Sequence, residues 1–135
     1  MDIVISPSGD TPIYQQLYDQ LASQIMTGTL KSGTCLPPIR AVAKELRISV
    51  ITVKKAWDEL EHDGLIVTMS GKGCFVSDLP NSALDDKRIK TAAVRIEKDI
   101  AYYKSISLSL EQVIDIMQTL RQCNQIADQV AAVDR

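Results

Sequence analysis

The chain has a single histidine, His62, and only three cysteines, Cys35, Cys74 and Cys123, too far apart to form a CxxC pair or a Cys/His cluster. A zinc site needs several such ligands at close spacing, and a disulfide framework needs an even number of cysteines. Neither is expected, and no metal ligand set or cofactor is implied. The thiols read as small buried or half-buried side chains, with a redox switch as the alternative. His62, at an acidic helix end, reads as exposed and leaves no triad for nucleophilic catalysis. GxSxG, HExxH, P-loop and dinucleotide fingerprints are also missing, so an enzyme is not expected. No apolar run approaches the roughly 18 residues that span a bilayer, and the opening MDIVISPSGD has neither a basic start nor a signal-like apolar stretch. The expected place is the cytoplasm, with no membrane partner.

Neither sign of charge dominates. The net charge is −2 over 135 residues, and the 45% hydrophobic content is ordinary for one modest domain or a small domain with an appendage. The charge is unevenly placed, however. Between positions 38 and 56, Arg40, Lys44, Arg47, Lys54 and Lys55 stand against Glu45 alone, a local charge of +4. Asp58, Glu59, Glu61 and Asp63 then crowd the far end of the same predicted helix. This division is expected if only the first turns of that helix approach phosphates.

Periodicity supplies the elements. A first helix is expected from Thr11 or Pro12 to about Gly28, with Thr11 as N-cap and Ile13, Leu17, Leu21 and Ile25 as its apolar stripe. Tyr14 and Tyr18 flank that stripe as core-rim aromatics. Pro37 keeps Leu36 out of helical geometry, so a second helix starts just after it and turns Ala41, Val42 and Leu46 inward. A turn at RIS precedes a third helix, capped by Ser49, with Val53, Ala56, Trp57 and Leu60 at core spacing and Gly64 as its stop. LIVTM and CFVS around SGKG read as a hairpin. Helix, turn, helix and hairpin wing together point to DNA, because the second helix of such a pair enters the major groove.

The residues Gly33, Leu36, Pro37, Arg40, Leu46, Ser49, Thr52, Val53, Ala56, Leu60, Gly64, Leu65, Gly71, Gly73, Phe75 and Val76 resemble the winged helix-turn-helix of GntR-type bacterial transcription regulators. The preceding helix extends the likeness over most of residues 10 to 77. The short tail resembles that of the YtrA-type subfamily, two helices used for dimerisation. The resemblance implies a mainly α fold with a small β-hairpin wing, and a regulator, taken as a repressor, that binds a palindromic double-stranded operator as a homodimer. It places Arg40, Ser49, Val50, Ile51, Thr52, Lys54, Lys55, Gly71, Lys72 and Gly73 at the DNA. Two positions depart from the family. Pro38 stands where relatives usually have a Ser able to cap the helix and reach a phosphate, and Val50 stands where they often have Arg or Pro. Val50 has no donor for guanine and suits a thymine methyl instead.

Residues 77 to 86, SDLPNSALDD, read as a linker, which divides the chain into a DNA-binding domain over 1–78 and a helical dimerisation region over 79–135. In the tail, Ile89, Ala93, Ile96, Ile100 and Tyr103 form one stripe. Ser109 and Gln112 make a capping box for a last helix carrying Leu110, Val113, Met117, Leu120, Ala127 and Val130. Such short helices need further cover. A symmetry mate supplies it, with Ile96, Ile100, Tyr103, Leu110, Val113, Met117 and Leu120 at the interface, and folding back on the winged helix is the alternative. A small-molecule effector is left open as a partner, and no pocket for one is legible. The competing function is a winged-helix protein-interaction module whose basic face docks an acidic partner.

Overall fold

A computed structural model describes residues 1–133, with helices α1 (Ile13–Met26), α2 (Ile39–Leu46), α3 (Val50–His62), α4 (Asn81–Ser105) and α5 (Leu110–Val133), and strands β1 (Ile66–Met69) and β2 (Gly73–Val76) between α3 and α4. They fall into two compact units, Met1–Arg88 and Ile89–Arg135.

In the first unit α1 packs on α3 and α2 packs on α3, so the third helix is the hub. Its Val53, Ala56, Trp57 and Leu60 are buried with Leu17, Leu21, Ala22, Ile25 and Met26 of α1 and with Leu36, Val42, Leu65, Ile66 and Val76. The inward pair on α2 is Val42 and Ala43, whereas Ala41, expected inside, is exposed. The buried face of α2 therefore falls one residue later than expected, set by the angle at which the helix meets the core. Helix α1 is shorter than expected at both ends, and Thr11 does not cap it. Pro12 takes the N-cap position without a side-chain hydrogen bond. The backbone oxygen of Thr11 instead accepts from Gln16 Nε2 at 2.8 Å.

The segment ahead of α1 has an organisation that periodicity does not reveal. Gln16, Gln20 and Gln24 lie at four-residue intervals along one side of α1 and hold the backbone of residues 2–6 by their amides. Gln20 accepts from Val4 N (2.9 Å) and donates to Val4 O (2.6 Å), Gln16 does the same with Ser6 (2.8 and 2.9 Å), and Gln24 donates to Asp2 O (2.7 Å). Ile3 and Ile5 thereby pack against the core. Glutamine suits this role because its amide both donates and accepts, as a peptide group does.

The hairpin pairs Ile66 with Val76, Val67 with Phe75, Thr68 with Cys74 and Met69 with Gly73. Residues 33–36 add a further rung: Gly33 N donates to Val76 O, Val76 N to Thr34 O and Leu36 N to Cys74 O, at 2.8–2.9 Å. The connection before α2 therefore buttresses the wing. Cys35 bridges Phe75 rather than Cys74, and strand side chains alternate between faces, so the two thiols point to opposite sides. The thiols are also more open than expected, with Cys35 and Cys123 exposed and Cys74 half-buried.

Beyond the wing, the expected linker is helical from Asn81 onward. Lys87 donates to the backbone oxygen of Asp63 at the end of α3, and Arg88 Nη1 donates to Met26 O at the end of α1 (3.2 Å). Two cations thus satisfy the terminal carbonyls of two helices, where the helix dipole also favours positive charge. For this reason the first compact unit ends at Arg88, ten residues beyond the boundary expected from the linker-like composition.

In the second unit the capping box is present as read. Gln112 N donates to Ser109 Oγ (3.2 Å) and Ser109 N donates to Gln112 Oε1 (2.9 Å). No residue of α4 is buried. Ile96, Leu110, Met117 and Leu120 are more than half exposed, and Ile100, Tyr103 and Val113 are intermediate. The side chain of Val130 lies outside the described residues. Among those described, no helix is long and apolar enough to cross a membrane.

Leu60 is fully buried at the α1–α3 contact. Leu60→Ala should lower the unfolding free energy by about 2–5 kcal/mol. Urea denaturation followed by circular dichroism measures this directly.

Candidate nucleic-acid interface

Helix α2 ends on Arg47, whose φ of 58° is left-handed, and the N–H groups of Arg47 and Ile48 both return to Ala43 O. A side chain in that conformation costs about 1–2 kcal/mol relative to right-handed backbone. The strained residue turns the chain within three positions and leaves Ser49 extended at the mouth of α3. Ser49 Oγ accepts from Thr52 N at 3.1 Å and lies 2.6 Å from Thr52 Oγ1. Ser49 and Thr52 are thus committed to each other, which defines where the helix begins.

With Val53, Ala56 and Trp57 inside, the outward residues of the first turns are Val50, Ile51, Lys54 and Lys55. Ile51 is 80% exposed. Lys54 Nζ reaches Asp58 Oδ2 at 3.1 Å, and Lys55 Nζ stands 3.8 Å from the ring centre of Tyr14. Both contacts are weak in water, about 0.3–0.5 kcal/mol for an exposed i,i+4 ion pair and about 0.5–1 kcal/mol for an exposed cation–π pair. They orient the two ammonium groups without locking them away from an incoming anion. The Lys54–Asp58 spacing is visible in the sequence. The Tyr14–Lys55 pairing joins two helices and carries no sequence signal.

Arg40, on the first turn of α2, and Arg47 are exposed. The acidic end of α3 is tied down instead: Asp63 accepts from the Tyr18 hydroxyl through its carboxylate and from Lys87 through its backbone oxygen. Burial, followed by the hydrogen bond and the charge of Asp63, pushes the Tyr18 phenol well above its ordinary range, so it stays protonated and keeps donating. At the wing tip Lys72 N donates to Met69 O (2.9 Å), and Gly71 and Gly73 have φ of 76° and 113°. Both glycines sit in a left-handed region that L side chains avoid, and a Cβ on Gly71 would meet no atom within 4 Å. Backbone conformation, rather than crowding, is what requires glycine at the tip. The expected DNA residues therefore fall on the mouth of α3, the first turn of α2 and the wing. Among the described residues no group of three or more His, Cys, Asp and Glu is placed to hold a metal ion.

A capped helix after a tight turn, with a hairpin behind it, defines the winged helix-turn-helix class of regulator. Residues 13–76 match the model of the bacterial regulatory proteins, gntR family. The chain is 32% identical over 108 residues to the HTH-type transcriptional repressor YtrA of Bacillus subtilis (strain 168), covering 78% of this chain and 83% of that protein. Among solved structures, YtrA from Sulfolobus acidocaldarius, a GntR-family transcription factor, is 34% identical with a TM-score of 0.54, covering 68% of this chain and 97% of that one. A structure of AraR(DBD) in complex with operator ORX1 shares the fold at 23% identity and a TM-score of 0.51, covering 57% of this chain and 99% of that one. The chain belongs to the GntR family and is a transcriptional regulator of the YtrA type.

Ser49→Ala should cost about 1 kcal/mol of stability by removing the cap of α3. The shift in thermal midpoint reads it, and an unchanged midpoint would show that Thr52 or water replaces the hydroxyl.

Proposed function

We propose that this chain is a dimeric repressor that binds a palindromic duplex operator, each subunit laying the first turns of α3 in a major groove. The observation that carries the reading is the division of α3: Lys54 and Lys55 stand on its exposed N-terminal half, while Asp63 and its neighbours occupy the opposite end, tied to Tyr18 and Lys87. A polyanion meets cations at one end of the helix only, and phosphate contacts of this kind set orientation while base contacts set sequence. In this reading Arg40, Ser49, Val50, Ile51, Thr52, Lys54 and Lys55 face the groove or its flanking phosphates. Gly71, Lys72 and Gly73 bring the wing to the backbone. The operator complex of AraR(DBD), which shares the fold, supports the choice of duplex DNA as partner.

Dimerisation is assigned to the tail within residues 79–135, because α4 and α5 present Ile96, Ile100, Tyr103, Leu110, Val113, Met117 and Leu120 with none of them buried in the single chain. Apolar side chains exposed in that number are the mark of an interface rather than of a free surface. A two-fold partner offers the same stripe in return. As a regulator acting on DNA within the cell, the protein is assigned to the cytoplasm.

Two variants test the two halves of this reading. Lys72→Ala should weaken binding to all duplexes alike and lower the slope of log affinity against log salt by about one. Fluorescence anisotropy at a series of salt concentrations measures the slope, and an unaltered value would place the wing tip away from phosphates. Met117→Lys should place an unpaired charge between subunits and dissociate the dimer, with a matching loss of operator affinity, since each winged helix reads only a half-site. Sedimentation equilibrium showing a dimer as tight as the parent's would remove Met117 from the interface.

A further inference from the structure

Val50 and Ile51 are the unexplained side chains of the interface. Ile51 is 80% exposed and Val50 44%, although both lie on the first turn of a helix whose other face is completely buried. Neither contributes to the core, and β-branched residues are poorer helix formers than the Lys, Glu or Ala that an exposed helical position otherwise favours. Neither carries a donor or acceptor on its side chain. Stability and solubility therefore account for neither of them.

Their surroundings identify what covers them. Lys54 and Lys55 follow Ile51 at i+3 and i+4 on the exposed side of α3, and Arg40 and Arg47 are exposed on α2 and at its end, so the elements that carry and adjoin the apolar pair also carry cations. The complementary surface is anionic at its margin and apolar at its centre. A major groove containing thymine has that character, with phosphates along both edges and the thymine C5 methyl projecting from its floor.

Resting on the duplex-binding reading above, we infer that Val50 and Ile51 are specificity-determining residues that read thymine C5 methyl groups in each operator half-site. The apolar pair selects T·A steps by methyl burial, not guanine by hydrogen bonding. Polar discrimination falls to other side chains, among them the exposed Arg40 of α2.

Replacing thymine by deoxyuridine removes the methyl alone and leaves base pairing and every donor and acceptor in place. The full chain is first used to select duplexes from a randomised pool, and each thymine of the selected site is then replaced in turn. At one or two thymines per half-site, the uracil duplex should bind the parent about fourfold more weakly, the factor carried by burial of one methyl-sized group, and about 15-fold more weakly when both half-sites are changed. In the Val50→Ala/Ile51→Ala variant the penalty should shrink to near unity, with an unchanged thermal midpoint confirming the fold. The parent's uracil scan stands as a test without any variant. A selected site that binds equally well with every thymine replaced, a half-site lacking thymine, or a variant that keeps the full penalty would each overturn this inference while leaving duplex recognition in place. A chain that selects no duplex at all overturns both.

Discussion

The burial of one face of α3 against α1 is the constraint from which the rest follows. Val53, Ala56, Trp57 and Leu60 are at most 3% exposed, and Leu17 and Leu21 opposite them are fully buried. A helix held along one side has no freedom to rotate, because turning it would draw several large side chains into water at about 1.5–3 kcal/mol each. The residues between the buried ones, Val50, Ile51, Lys54 and Lys55, are thereby held outward. The core thus determines which side chains are available for recognition.

Local chemistry then sets where that helix begins. The left-handed Arg47 ends α2, and Ser49 starts α3 by capping Thr52 N. Residues 33–36 pair with β2 behind this turn, so the wing is anchored to the segment that leads into α2. Positive-φ glycines at positions 71 and 73 narrow the hairpin tip and leave Lys72 projecting. The recognition helix, the turn and the wing share one small core, so damage at Leu60 or Val76 would reach all three.

The tail follows a different logic. α4 and α5 have apolar stripes and a complete capping box, yet no described residue of either helix is buried. Hydrogen bonding and caps form the helices, but a stable assembly needs apolar area removed from water. In the single chain that area stays uncovered, since no described residue of α4 or α5 is buried.

The helix stripes, the Ser49 cap, the Gly64 stop, the hairpin and the Ser109–Gln112 box were legible in the sequence because each depends on residues a few positions apart. The Lys54–Asp58 pair, seen only in the structure, has the same short spacing. Only the tertiary structure decided the rest. Gln16, Gln20 and Gln24 hold residues 2–6, residues 33–36 join the wing, Lys55 lies on Tyr14, and Lys87 and Arg88 close the ends of α3 and α1. The opening of α4 reads like linker because Ser, Asp, Pro and Asn are common in loops, and only the structure shows Lys87 and Arg88 tying its early turns to two distant carbonyls. The inward choice of Ala43 over Ala41 was equally hidden, since two alanines of equal size differ only in the angle at which the helix meets the core. Spacing along a chain encodes contacts within an element, whereas contacts between elements depend on how the elements are brought together.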